Sequence, residues 1–437
     1  MKTTTRRLLA ALAAGLALAV AATAARADTE PLVLTLEEAM KAAAGSSPEV
    51  VKAREYGTGV AARYVEERSA AFPHFTFTAS GSRSEDESQS ALGFPVTTDN
   101  GAVKVLGRQP LFTWGQISSA IRLADINRAT AGDRLAAAQA TSARDAAAAF
   151  YGVLFARELE SLARQNLEQK QRLLDEATRR LAAGTATDYD VLAASVGVQN
   201  ARPEVISSGN AVRDARERLA FVLGERDRPV DVVGSLQAPV APAPDAATAL
   251  QTAVARRPEL AEMRKNVAMS KELVRIESAG NKPRLDLAAD AGWRTVDMDG
   301  RAGDGTTWSA GLLLSWPAFD GGRTRGAVAR RESEVRTLGL EEARFIDALA
   351  LDTRTGVDAV NQAAAIVEAL GGTVAQAERL LAMAEKGFEL GVKTRIDVND
   401  AQLNLVSARA GLARGRRDLL VARVNLDWLM GTLTPAP

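Results

Sequence analysis

The 437-residue sequence contains no cysteine and only one histidine, His74. The lack of cysteine excludes disulfides, thiolate metal ligands, a cysteine nucleophile and the acylated cysteine that anchors lipoproteins. One histidine is too few for an HExxH motif or a histidine-rich zinc centre, and the chain has no P-loop, GxGxxG turn or GxSxG elbow. We therefore expect no enzyme activity, no metal site and no cofactor, and interpret His74 as an ordinary residue on the polar face of a strand.

A long apolar run is missing after residue 27, so the sequence predicts no transmembrane helix there. Residues 1–27 combine a basic start, an apolar stretch from Leu8 to Ala22 and a small-x-small site. The stretch is short for a membrane anchor, which needs about 20 residues, and the pattern is typical of a signal peptide cleaved before Asp28. The protein is expected to leave the cytoplasm, and it could then enter a membrane only as β-strands closed into a barrel.

Neither sign of charge is in excess. The chain has 54 Lys and Arg against 54 Asp and Glu, and removing residues 1–27 takes away four basic residues, leaving 50 against 54. The composition therefore lacks the basic excess of a nucleic-acid-binding protein.

The chain repeats itself once, at an offset of 207 residues. QPLFTWGQ (109–116) parallels WPAFDGGR (316–323), and the same offset aligns AAGTATDYDVLAA (182–194) with ELGVKTRIDVNDA (389–401). An unbroken register over more than a hundred residues indicates a structural duplication.

Each half of the chain is expected to follow the same plan. The boundaries are 1–27 for the signal peptide, 28–228 for repeat 1, 229–245 for a linker and 246–437 for repeat 2. Each repeat should contain a helix (35–71; 246–280), a strand pair (73–112; 283–319) and a long helical hairpin (115–224; 322–431). The hairpin segments are almost free of proline, which permits helices far longer than the globular norm.

The long helices carry a heptad pattern. The residues that recur every seven positions are Leu167, Leu174 and Leu181, then Val406, Ala413 and Leu420. This spacing favours coiled-coil-like packing. A long soluble hairpin would explain the helices, but it would not explain the strands. Within the helices, Pro203 and the pair Gly371–Gly372 are expected to cause a kink or a break.

The strands alternate with a period of two. The segments are 73–80, 285–291 and 307–316, with 103–112 as a weaker fourth. An apolar face opposite a polar one is typical of a membrane barrel, with Trp308 and Trp316 as interface aromatics. A soluble sandwich would alternate in the same way, but the signal peptide and the long helices favour the barrel. Because four strands cannot close a barrel, the chain should form a ring-shaped homo-oligomer.

This organisation resembles the TolC family of outer-membrane efflux and secretion channels over residues 32–433. The resemblance rests on TLEEAMKAAAGSSPEV (35–50), the turns QPLFTWGQ and WPAFDGGR, the paired turns GTATDYDV and GVKTRIDV, and the final WLMGTL (428–433). It implies a mainly α fold with a membrane β-barrel. Three chains would form a twelve-stranded outer-membrane barrel and a long periplasmic helical barrel, with residues 229–245 in an equatorial region.

The resemblance also implies a function. Such channels passively conduct substrates that an inner-membrane RND pump or ABC exporter delivers through a periplasmic adaptor, in efflux or type I secretion. The alternative is a periplasmic adaptor or a structural coiled-coil protein of an export system. Adaptors normally carry one hairpin, whereas this sequence predicts two equivalent hairpins and two strand pairs.

The turn GVKTRIDVNDAQ (391–402) places Asp397 and Asp400 on one face of a helix. Thr394 with Asp397 forms a capping-box pattern in which Asp replaces the usual Glu, and Thr187 with Asp190 repeats it. Capping does not explain Asp400, which lies a turn deeper and has an alanine as its counterpart in repeat 1.

In the TolC family, aspartates that match Asp397 and Asp400 constrict the pore entrance and select for cations. The closed gate also uses a tyrosine, an arginine and an aspartate that matches Asp190. Here Phe388 and Lys393 replace the tyrosine and the arginine, so the resemblance implies a lock that is weaker or differently wired. The turn residues expected to contact the adaptor are Gly184, Thr187, Gly391 and Thr394.

Overall fold

The computed structural model describes residues 31–86, 96–225, 228–298 and 300–433, so the signal peptide predicted at 1–27 lies outside it. In chain order, the elements are β1 (Leu32–Leu34), α1 (Leu36–Ser46), α2 (Pro48–Ser69), β2 (His74–Asp86), β3 (Val96–Phe112), α3 (Gln116–Ala182), α4 (Asp188–Leu223), β4 (Val230–Val232), α5 (Ala246–Arg256), α6 (Pro258–Ser278), β5 (Arg284–Met298), β6 (Arg301–Ser315), α7 (Arg323–Glu389) and α8 (Arg395–Leu429). Among the described residues, no helix has both the length and the apolar character needed to cross a membrane.

The chain forms two compact units. The first, called here the helical unit, contains the described residues up to 51, residues 138–256 and those from 350 onward. The second, the sheet unit, contains residues 52–137 and 257–349. Helices α3 and α7 contribute residues to both units.

The prediction of one continuous helix at 35–71 and another at 246–280 is wrong, because each segment forms two helices. Ser47 and Arg257 interrupt them with extended backbone, at ψ values of 146° and 119°. Each of these residues precedes a proline, whose ring disfavours helical backbone at the position before it. The proline then begins the next helix, where its missing N–H has no partner to lose.

The long helices are continuous. Helices α3 and α7 each have 67 residues, and α4 and α8, which follow them, have 36 and 35. No break occurs at Pro203 or at Gly371–Gly372. A proline inside a helix removes one backbone donor but keeps a helical φ, and each glycine costs only about 1 kcal/mol relative to alanine.

The core of the helical unit surrounds a short parallel pair of strands, in which β1 pairs with β4 from Leu32↔Val230 to Leu34↔Val232. Side chains from α1, α3, α4 and α8 pack around it, and Leu219 is fully buried there. Next to Val230, Asp231 forms an ion pair with Arg157 and another, 2.8 Å long, with Arg216. The segment after α4 is therefore held by both backbone pairing and charge.

The sheet unit contains a four-stranded antiparallel sheet in the order β2-β3-β5-β6. The register aligns Phe77, Val105, Ala291 and Trp308 in one row, and the outer side chains of this row, Phe77 and Trp308, are 68% and 79% exposed. On the other face, Asp290 lies 3.8 Å from the Lys104 ammonium. The predicted alternation of apolar and polar faces is therefore present, on strands longer than the sequence predicted.

Two details of the sheet differ from simple alternation. Trp316 lies just beyond the end of β6, and its indole N–H donates to the Asn281 carbonyl at 3.2 Å. At Gly292, an added Cβ would collide with the Val103 carbonyl oxygen and approach the Lys104 Cα to 2.8 Å. Strands β3 and β5 can approach this closely only because residue 292 has no side chain.

Candidate functional site: the two hairpin turns

The first turn joins α3 to α4. Gly184 has a φ of +71°, a left-handed conformation that glycine adopts without steric cost. The Thr185 N–H donates to the Arg180 carbonyl at 2.8 Å, and the Gly184 N–H donates to Leu181 at 2.9 Å. These bonds satisfy the last carbonyls of the helix and reverse the chain within a few residues.

The second turn joins α7 to α8 and has a similar construction. Gly391 has a φ of +75°, and the N–H groups of Val392 and Lys393 donate to the Gly387 carbonyl at 2.9 and 3.0 Å. The aliphatic stem of Lys393 lies over Gly387, since a Cβ there would meet the Lys393 Cγ at 2.6 Å. The two repeats therefore present two related turns.

Both predicted capping boxes are present. Thr394 donates to the Asp397 carboxylate from its N–H (2.8 Å) and its hydroxyl (2.7 Å), and the Asp397 N–H donates back to that hydroxyl at 3.2 Å. Thr187 and Asp190 make the same three bonds. Hydrogen bonds from the two threonines lower the pKa of both aspartates, with smaller contributions from Lys393 at Asp397 and from Arg395 at Asp190.

Two of the predicted gating residues, Asp190 and Lys393, have different polar partners. The Lys393 ammonium lies 3.6 Å from the carboxylate of Asp397, its i+4 neighbour, and not beside Asp190. Asp190 makes its hydrogen bonds with Thr187, and among the described residues none joins it to Phe388 or Lys393. Within the described chain, the polar partners of Asp190 and Lys393 are therefore Thr187 and Asp397, respectively.

Phe388 instead contacts two arginines. The guanidinium carbons of Arg180 and Arg395 lie 5.7 and 5.6 Å from the centre of its ring, within the range of cation–π attraction. Arg180 lies in the last turn of α3, in the first hairpin, and Phe388 lies near the end of α7, in the second hairpin. The contact between them therefore joins the two hairpins. Sequence reasoning missed both arginines, although their positions in the last turn of α3 and the first turn of α8 could have indicated them.

Asp400 is exposed, and no described residue donates a hydrogen bond or forms an ion pair with its carboxylate. Beside it, Asn399 accepts a hydrogen bond of 3.3 Å from the Lys170 ammonium of α3. Burial lowers the pKa of Lys170. The first hairpin therefore also contacts α8 next to Asp400 while leaving the Asp400 carboxylate free to interact with a solute.

Chemically, the two turns offer carboxylates, cations and the aromatic rings of Tyr189 and Phe388. Within the described part of the chain, no group of three His, Cys, Asp or Glu side chains could hold a metal ion. The turns can therefore attract or repel charged solutes and hold two hairpins together.

Comparisons with known proteins identify relatives. A family model described as outer membrane efflux protein matches residues 39–225 and 249–432. The outer membrane protein TolC of Escherichia coli is 24% identical over 310 residues, which cover 68% of this chain and 62% of TolC. This chain thus matches less than two thirds of TolC's length. The cobalt-zinc-cadmium resistance protein CzcC of Cupriavidus metallidurans is 27% identical over 328 residues, which cover 74% of this chain and 75% of CzcC.

The fold also matches solved structures. A crystal structure of a membrane protein from Pseudomonas aeruginosa superposes with a TM-score of 0.78 at 21% identity, covering 91% of this chain and 90% of that one. Because the family model matches most of the chain, in two segments that each end after a long helical hairpin, the chain belongs to the outer membrane efflux protein family.

Proposed function

We propose that this protein is the outer-membrane channel of a tripartite efflux or type I secretion system, a passive conduit from the periplasm to the exterior. The observation that carries the proposal is the duplication of a long helical hairpin, each copy closed by a capped turn that holds an aspartate. Membership of the outer membrane efflux protein family supports the same function. Its chemistry is selection and gating, without a catalytic step.

The channel would be a homotrimer in which three sheets form a twelve-stranded barrel. In the described sheet, β2 and β6 each pair on one side only, so each presents an edge that a second copy can extend. The exposed row that includes Phe77 and Trp308 suits contact with lipid, with Trp308 and Trp316 at the membrane interface. An exposed apolar sheet face is not expected in a periplasmic adaptor or a structural coiled coil, because neither is embedded in lipid.

At the periplasmic entrance, we place Asp397 and Asp400 in a ring of carboxylates contributed by the three copies. Like charges held around an opening attract cations and repel anions. Asp400 contributes more to the attraction of cations. The Asp397 carboxylate accepts a hydrogen bond from Thr394 and pairs with Lys393, whereas Asp400 has no partner among the described residues.

The closed entrance would be held by Phe388 between Arg180 and Arg395, with Asp190 attracting Arg395 and with Lys393 acting through Asp397. This arrangement replaces a phenol–carboxylate bond with contacts between guanidinium groups and a ring.

The turns would also meet a periplasmic adaptor, which links the channel to an inner-membrane RND or ABC transporter. The expected contact residues are Gly184, Thr187, Gly391 and Thr394. Apolar side chains beside the second turn are largely exposed, with Leu390 at 70%, Val392 at 75% and Ile396 at 70%. Exposed apolar groups next to charged ones are typical of a protein–protein contact.

Conductance in planar lipid bilayers tests the proposal. The purified wild-type protein should insert and pass a cation-selective current. The variant Asp397→Ala/Asp400→Ala should lose most of that selectivity, while Asp188→Ala, a control at an exposed aspartate of the first turn, should keep it. Unchanged selectivity in the double variant would refute the ring. A protein that neither partitions into outer membranes nor conducts would refute the channel and favour the adaptor.

A further inference from the structure

A cavity of about 580 Å³ lies in the helical unit between α3, α7 and α8. Its apolar lining includes Leu162 and Leu405, which are 7% and 5% exposed. The volume is within the range of about 300–1,000 Å³ that is usual for small-molecule sites. The proposed conduction and gating do not use this cavity.

One polar side chain of the cavity is buried and unsatisfied. Gln402 of α8 lines the cavity and is only 9% exposed. Its amide oxygen Oε1 is buried and has no hydrogen-bond donor among the described residues. Buried amide oxygens are almost always hydrogen-bonded, because an unpaired one costs folding stability. The missing donor therefore needs an explanation.

The register of the second hairpin indicates what is missing. One heptad farther from the turn, the Arg409 guanidinium donates to Glu378 across the hairpin at 2.8 Å. Moving seven residues toward the turn on both antiparallel helices brings Gln402 opposite Glu385, and both line the cavity. Here an amide replaces the guanidinium, and Glu385 has no cationic partner within the described chain. The position therefore holds a carboxylate and an unpaired amide oxygen with no cation beside them.

The other charges of the cavity are already neutralised. The Arg172 guanidinium bonds Glu168 at 2.7 Å, and Arg180 bonds Glu176 at 2.5 Å. Glu385 is therefore the carboxylate of the cavity that is left to recognise a ligand, and a positive charge would complement it.

We propose that this cavity binds a small organic cation, a protonated amine or amidinium with an apolar body. The cationic N–H groups would donate to the Glu385 carboxylate and the Gln402 amide oxygen, and the apolar body would lie on the leucines. The positions at offset 207 in repeat 1 are Thr178 and Ser195, which have neither a carboxylate nor an amide. The two side chains proposed to bind the cation are therefore specific to the second hairpin, although α3 of the first hairpin also lines the cavity.

Isothermal titration of the full-length protein in detergent tests the site with benzamidine, which joins an amidinium to a phenyl ring. Benzamide, its neutral analogue, is the control ligand. We expect saturable binding of one benzamidine per protomer. Benzamide should bind at least about tenfold more weakly, because hydrogen bonds to charged groups are stronger than those between neutral groups. Glu385→Gln should weaken benzamidine binding by a similar factor, and Glu389→Gln, outside the cavity, should not.

A second variant separates the site from general stability. Gln402→Leu removes the unsatisfied amide, so the free protein should unfold at the same or a higher temperature. It should also lose the rise in Tm that benzamidine gives the wild type. The proposal is overturned if benzamidine does not bind saturably, if benzamide binds as well, or if Glu385→Gln binds benzamidine undiminished.

Discussion

Replacing Phe388 by leucine is expected to open the proposed entrance gate. Leucine keeps an apolar side chain at this half-buried position but removes the ring that Arg180 and Arg395 contact at 5.7 and 5.6 Å. The Arg180 side chain is 46% exposed, so the lower range of cation–π strength applies, about 0.5–1 kcal/mol per contact. Two lost contacts correspond to a roughly five- to thirtyfold shift of the closed–open equilibrium in each protomer.

Open probability in planar bilayers, measured on single inserted channels, reads out this shift. Phe388→Tyr keeps the ring and should remain mostly closed. Arg180→Gln removes one of the two contacts and should show about half the effect in free energy. Arg179→Gln is the matched control, because Arg179 is an exposed neighbour in the same helical turn and makes no contact with the ring.

The open probabilities of these variants together test whether the cation–π contacts hold the gate closed. If Phe388→Leu forms normal channels with wild-type open probability, the cation–π contacts do not hold the gate. If Arg179→Gln opens the channel as much as Arg180→Gln, the effect is a general loss of positive charge.

Three other perturbations have definite expected outcomes. Asp400→Asn should reduce cation selectivity in bilayers without lowering Tm, because the Asp400 carboxylate has no described partner, and a fall in Tm would contradict its exposed placement. The pKa of Asp397 is lowered from 3.8, so the stability from its cap should be complete above about pH 4 and lost as the pH falls through the lowered value. Thr394→Ala should therefore flatten the acid side of the Tm–pH curve, and an unchanged curve would argue against the cap. Gly292→Ala should reduce the yield of assembled trimer in outer membranes, because the added Cβ would collide with β3. Gly303→Ala is the control, since a Cβ at that position would meet open space. Equal yields of the two variants would contradict the close approach of β3 and β5.

Features that depend on a few neighbouring residues were predictable from the sequence. Thr394 and Asp397 are three residues apart, and Thr187 and Asp190 repeat the spacing, so the caps form wherever the hairpins lie. The alternation along each strand likewise defined the two faces of the sheet. The interruptions at Ser47 and Arg257 were equally local, and the proline after each residue was the signal that should have divided the helices.

By itself, then, the sequence determined the duplication, the long helices, the glycine turns and the caps, because local backbone preferences and short-range hydrogen bonds specify them. Only the tertiary structure decided that Phe388 meets Arg180 from the other hairpin and that Gln402 and Glu385 line the same cavity. Such pairs are distant in the chain and depend on how helices are rotated and shifted against one another. A turn or two of difference in packing would give the same helices other neighbours, which is why the resemblance that named Phe388 and Lys393 did not identify Arg180 and Arg395 beside the ring.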